Sequence, residues 1–207
     1  MLFMGLEAYW IYTMIQRGIN HRQFMWMAAA VGLSDAIMEH PGIAMHTYEY
    51  YGNQPFKDGL FPFYWAFTNS VAICTIGVLV YFTWPRVKNK GWMMLAILPL
   101  GIIGTSMGEF GSGFPVFLAI NANMATWLQW VIGSLTLVIA VVWIRVLAEI
   151  VARETDVEWT FWGLFKARFM LPHQRERYIE RKTRVGVPVP EAADAVDAPA
   201  GNTTVSA

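Results

Sequence analysis

The chain has 207 residues, 56% of them hydrophobic and 15% aromatic, with only 14% charged and a formal net charge of zero. A water-soluble domain carries about 25% charged residues, so this balance predicts a membrane protein. The lack of net positive charge excludes nucleic acid as a partner, and the single cysteine, Cys74, lies in an apolar run where it can form no internal disulfide and reads as a small buried apolar residue.

A bilayer core of about 30 Å needs about 20 helical residues. By that ruler five segments predict membrane-crossing helices: 1–16, 23–40, 62–84, 92–108 and 126–148. The first is short at its N-terminal side, which suggests a trimmed start or an element leaning on others. No basic region with a small-residue cleavage site marks a signal peptide. In the second, Pro41 disfavours helical geometry at His40 and predicts a break there. The third, "FPFYWAFTNSVAICTIGVLVYFT", and the fifth are long and uninterrupted. The fourth, "WMMLAILPLGIIGTSMG", contains Pro99 and three glycines and predicts a kink.

Charge sets the orientation. Arg17 and Arg22 separate the first two spans, and Arg86, Lys88 and Lys90 separate the third and fourth. Beyond the fifth come Arg153, Lys166, Arg168, Arg175, Arg177, Arg181, Lys182 and Arg184, whereas 41–61 holds only Lys57 and 109–125 holds no Lys or Arg. The positive-inside rule then places the N-terminus outside and the C-terminal tail in the cytoplasm of a bacterial cell. Residues 1–152 read as the bundle. Residues 153–184 mix aromatic and basic side chains, as in a helix lying on an anionic leaflet. Residues 185–207 are rich in Pro and Ala and read as disordered.

Titratable groups concentrate at the outer end. Asp35 lies about 20 Å beyond Arg22 along the second helix, and Glu39 follows one turn later on the same face. His40, His46, Glu49 and Tyr51 come next, with Asn69 at matching depth in the third span and Glu109 closing the fourth. Asn121, Asn123 and Gln129 flank the fifth, and Glu7 sits near the midplane of the first. These positions predict one polar cavity in the outer half of the bundle. The tyrosines, with Trp65 and Trp127, also fit an interfacial aromatic belt. His40 and Glu49 fit solvated loop positions, and Asn69 fits an interhelical hydrogen bond. Asp35, Glu39 and Glu7 are harder to assign to structure alone, because an ionised acid in hydrocarbon costs about 2.5–3.5 kcal/mol.

Glu39, His40, His46 and Glu49 are the one set that offers metal-ligand chemistry. Their spacing matches no HExxH or HxxxH pattern, and the proline interrupts the register between the histidines, so no metal is expected. The histidines lie too near the surface for haem, and no Gly-rich phosphate loop or nucleophile elbow occurs.

The runs "DAIMEHPGIAMHTYEYYGNQPF", "FPFYWAFTNS" and "GFPVFLAINANMATWLQWVIGSLT" resemble the AveC-like membrane proteins of actinobacteria over roughly residues 17–150. That family is named for a spirocyclase of macrolide spiroketal biosynthesis, and the first span here is shorter than its usual pattern. The resemblance implies addition of a hydroxyl to a ketone with loss of water, which needs a proton donor and acceptor and no cofactor. On it, Asp35, Glu39, His46 and Glu109 are the catalytic expectations, with Glu7, His40, Tyr51, Asn69 and Asn121 contacting substrate. Two carboxyls one turn apart in low dielectric divide acid and base roles between them, and a nearby histidine relays protons. The sequence thus predicts an all-α integral membrane protein of about five helices. Its expected function is a cofactor-free cyclase or dehydratase acting on a hydrophobic, polyketide- or lipid-like substrate. Alternatives are a non-enzymatic carrier of such molecules, or an accessory subunit whose acids pair with a membrane-complex or oligomeric partner. Membrane lipids are its expected surroundings.

Overall fold

The computed structural model describes residues 2–153, 155 and 157–185. The expected disordered tail, Val185 apart, lies outside the described residues. The described chain is all-helical; its only β feature there is an isolated bridge between Lys57 and Pro62.

Helices α1 (Leu2–Arg17) and α2 (His21–Ala44) are joined by a three-residue turn. Gly18, at φ +87°, supplies the left-handed residue that ends α1. Asn20 then starts α2 with a capping box. Its side chain accepts from Gln23 N at 2.9 Å, and Gln23 Oε1 accepts from Asn20 N at 3.1 Å. The break expected at His40 does not occur, and α2 runs through Pro41 to Ala44. Pro41 opens the last turn, so its missing N–H removes a single bond near the helix end. His40 strengthens that turn, its Nδ1 meeting Ala36 O at 2.6 Å. His46, at φ +54°, reverses the chain after α2.

Helix α3 (Phe63–Val87) is the hub, packing against α1, α2, α6 and the fourth span. Small residues let the backbones approach. Gly32 of α2 sits over Ala66 O and Ser70, and Gly77 of α3 faces Ile11 and Ala8 O of α1. The fourth span is a continuous rod, Gly91–Ser112, built from three pitches. A 3₁₀ segment (Gly91–Ile97) leads into α4 (Leu98–Ser106), which opens into a π-helical turn (Met107–Ser112). Pro99 lies in the first turn of α4, at the change of pitch, where an unpaired N–H costs nothing. The rod touches α3 through Gly104 and Gly108, a G-x-x-x-G pair, and is otherwise largely bare.

Helix α5 (Phe114–Asn121) folds back, and α6 (Thr126–Val151) crosses the bundle. Val131, Leu135, Val138, Val142 and Val146 form an uncovered stripe along α6, as lipid-facing residues do. Three elements, Phe63–Val87, Gly91–Ser112 and Thr126–Val151, are long and apolar enough to cross a membrane.

The C-terminal segment is two short helices rather than one flat one. Helix α7 (Phe161–Arg168) climbs α2: Gln23 Nε2 donates to Val157 O at 2.6 Å, Trp26 meets Phe161 edge-on, and Arg168 reaches Val31 O. That is a rise of about 12 Å. Helix α8 (Pro172–Val185) returns, its Arg175 donating to Ala167 O, Arg168 O and Met170 O at the end of α7. Leu164 and Ile179 join Trp10, Met14, Phe24 and Met27 in the main core. Burial of those two apolar side chains holds the hairpin against the bundle instead of leaving it flat.

Candidate functional site

The polar residues sort into four places rather than one cavity. The first lies where α2 meets α3 near the 45–62 loop. Asn69 Nδ2 donates to Asp35 Oδ2 at 2.8 Å, which ties the two helices together. One turn along, Glu39 Oε2 accepts from Tyr48 OH at 3.0 Å and also from Tyr50 OH. The turn at His46 makes this possible by sending residues 47–50 back over the end of α2. Tyr50 is fixed by edge contacts with Trp65 at 5.4 Å and Phe61 at 6.1 Å. Burial and the Glu39 carboxylate both push the two phenols up from their ordinary range. They therefore stay neutral and serve as permanent donors to Glu39.

Next to this cluster, His40 Nε2 lies 2.8 Å from Asp58 Oδ2. Its Nδ1 faces the Ala36 carbonyl, so both ring nitrogens point at acceptors and both carry protons in this geometry. The bond from His40 and the backbone N–H of Phe61 pull Asp58 down to about 2. Asp58 also accepts from Leu60 N, closing a tight turn that pins the 45–62 loop to α2.

A second polar set belongs to the 45–62 loop and the elements it touches. Tyr64 OH donates to Gln54, Asn53 Nδ2 donates to Thr126 Oγ1 at 3.0 Å, and Asn121 Nδ2 lies 3.4 Å from Tyr51 OH. These bonds splice the 45–62 loop to α3, α5 and α6.

Glu109 stands elsewhere. It lines a groove of about 900 Å³ between α1 and the rod, floored by Ile76, Val80 and Trp84 of α3. The rod meets α3 through Thr68 and Ala72, a different face from the Ala66–Asn69–Ser70 side that meets α2. Walls of the groove come from Met4, Ala8, Tyr9 and Tyr12 on one side and Leu98, Ile102 and Phe110 on the other. The π-helical turn sets the carboxyl here. Gly108 rests on the α3 backbone, and Gly113 closes over the Glu109 carbonyl, where a Cβ would come within 2.5 Å. Such turns are frequent at functional sites.

Glu7 occupies the fourth place. It forms an ion pair with Arg168, and both side chains are almost wholly buried. The guanidinium also donates to Ala30 O at 3.2 Å and Val31 O at 3.3 Å.

Of the residues expected in one site, then, Asp35, Glu39 and Asn69 come together, with His40 adjacent. Tyr51 and Asn121 meet in the loop layer. Glu109 and Glu7 are separate, and His46 is exposed at the turn, with a conformational role. Sequence reasoning passed over Tyr48, Tyr50 and Asp58 as partners, and over Arg168. The Gly104/Gly108 spacing is a signal that was readable. Among the described residues no three His, Cys, Asp or Glu side chains gather as metal ligands. Comparison with protein-family models, curated proteins and solved structures finds no match for this chain.

Proposed function

We propose that this chain is a polytopic membrane protein that takes an elongated hydrophobic molecule from the bilayer into the groove between α1 and the rod. The observation that carries this reading is the groove itself. It is a long, largely apolar channel of about 900 Å³, within the range of small-molecule sites, with one carboxyl at its outer end. In this reading α1 and α2 cross the membrane beside the three longer spans, giving five. The basic residues of 17–22, 86–90 and 153–184 favour a cytoplasmic position for those segments in a bacterial plasma membrane.

The test uses Gly101, which lines the groove and whose added Cβ would meet nothing within 4 Å. Gly101→Trp should fill the groove without disturbing α3, so protein purified in lipid nanodiscs should lose its co-purifying hydrophobic molecules by native mass spectrometry. An unchanged complement of bound molecules in a folded Gly101→Trp protein would sink the reading.

The Asp35–Glu39 ladder supports a second reading, the cofactor-free cyclase or dehydratase that the AveC-like resemblance implies. Two carboxyls one turn apart, each held by hydrogen-bond donors, suit a reaction that protonates a ketone oxygen and deprotonates a hydroxyl. A dihydroxyketone supplied to membranes containing the chain should then lose water to give a spiroketal. Asp35→Asn and Glu39→Gln should each lower that rate by about 10²–10⁴-fold while folding is retained. Full turnover by both variants excludes these acids as the catalytic pair.

A further inference from the structure

The chemistry of the groove narrows what it holds. Its polar lining is Tyr9, Tyr12, Gln16, Thr105, Ser106 and Glu109, without any Lys, Arg or His. Thr105 spends its hydroxyl proton on Gly101 O at 2.8 Å, within its own helix. Glu109 makes no side-chain hydrogen bond or ion pair among the described residues, although it is only partly exposed. Three other acids of the outer half each have a partner, Asn69 for Asp35, two tyrosines for Glu39 and His40 for Asp58, while Glu49 is exposed in the 45–62 loop.

A carboxylate at an apolar wall gains most from a cationic donor, since the local dielectric is low and no protein cation competes. An anionic head would meet repulsion from the ionised acid and find no Lys or Arg to receive it. The remaining length, from Glu109 and Met4 down to Gln16 and Ile97, is lined mainly by aliphatic and aromatic side chains, carries no second charge, and spans about 18–20 Å along either helix. That is the shape of a single chain with one polar end. Entry needs no opening of the bundle, because α1 and the rod both dock on α3 and leave the gap between them facing lipid.

Resting on the groove reading above, we infer that the ligand is a single-chain amphiphile with an amine head, and that Glu109 is the residue that selects the head. The polar end lies at the level of the π-helical turn, and the chain follows α1 toward Gln16. Ser106, one turn from the carboxyl, is the neighbouring hydroxyl whose oxygen can accept a second hydrogen bond from an ammonium.

Octadecylamine, octadecanol and octadecanoate offered in turn to the full chain in zwitterionic nanodiscs separate head from tail. Retention is read by native mass spectrometry near neutral pH. The wild type should hold the amine about tenfold more tightly than the acid, as one desolvated charge pair warrants. Glu109→Gln should erase that preference and leave octadecanol unchanged. Gly101→Trp should release all three. Equal retention of amine and acid by the wild type overturns the inference, and so does a preference that survives Glu109→Gln. If Gly101→Trp binds all three as before, the groove reading fails as well. If Gly101→Trp releases them but Glu109→Gln keeps the preference, only the head-group assignment fails.

Discussion

Arg168→Ala should destabilise the protein by about 3–5 kcal/mol, the cost typical of breaking a buried pair by removing one partner. Glu7 is 2% exposed and Arg168 5%. Truncating the arginine strands the Glu7 carboxylate without its cation in a buried site. It also removes the guanidinium bonds to Ala30 O and Val31 O of α2. Helix α7 should lose its seat on α2, and with it the burial of Leu164 and Ile179. The double replacement Glu7→Leu with Arg168→Met is expected to recover most of the loss, because an apolar pair of similar volume carries no desolvation cost. Thermal unfolding in one detergent, for the wild type, both single variants and the double, gives the coupling. Additive effects in that cycle would mean that the two side chains do not act on each other in the folded protein.

A second large effect belongs to the seam between the rod and α3. A Cβ at Gly108 would lie 2.5 Å from Thr68 O and 2.6 Å from Ala72 Cβ, and backbone atoms cannot yield as a side-chain tip does. Gly108→Leu should therefore cost about 1–3 kcal/mol or more through overpacking, and should push the rod off α3. Gly101, three residues from Gly104 but facing open space, is the control. Gly101→Ala should be neutral or stabilise by up to about 1 kcal/mol through helix propensity. Protease accessibility of the rod, followed beside thermal stability, distinguishes the two. Identical behaviour of the two variants would show that the rod does not rest on α3 through its glycines.

The spans were the most legible part of the fold. The expected 62–84, 92–108 and 126–148 correspond to Phe63–Val87, Gly91–Ser112 and Thr126–Val151, because an uninterrupted apolar run reports its own length. Pro41 was read too strongly: it predicted a break at His40, yet it sits in the last turn of α2, where the helix loses one N–H at little cost. The pairing of Asp35 with Glu39 follows from helical spacing alone. Which other acids join them does not, since that depends on which face of α3 each neighbour covers. Glu109 and Asp35 both lie beside α3 and still address different faces. Arg168 was one cation among several in a basic segment. Nothing local distinguishes it from Lys166, which remains exposed; only the docking of α7 on α2 buries one and not the other. Tyr48 and Tyr50 read as membrane-interface aromatics because their contact with Glu39 depends on the reversal at His46.

The rod rests on α3 through Gly104 and Gly108 and is otherwise largely bare, with Trp92 and Leu95 of its 3₁₀ segment and Leu98 of α4 uncovered. In the bilayer proposed above, acyl chains supply the packing that the protein omits along the rod, so its fit against α3 and its fit against lipid are set by opposite faces of one element.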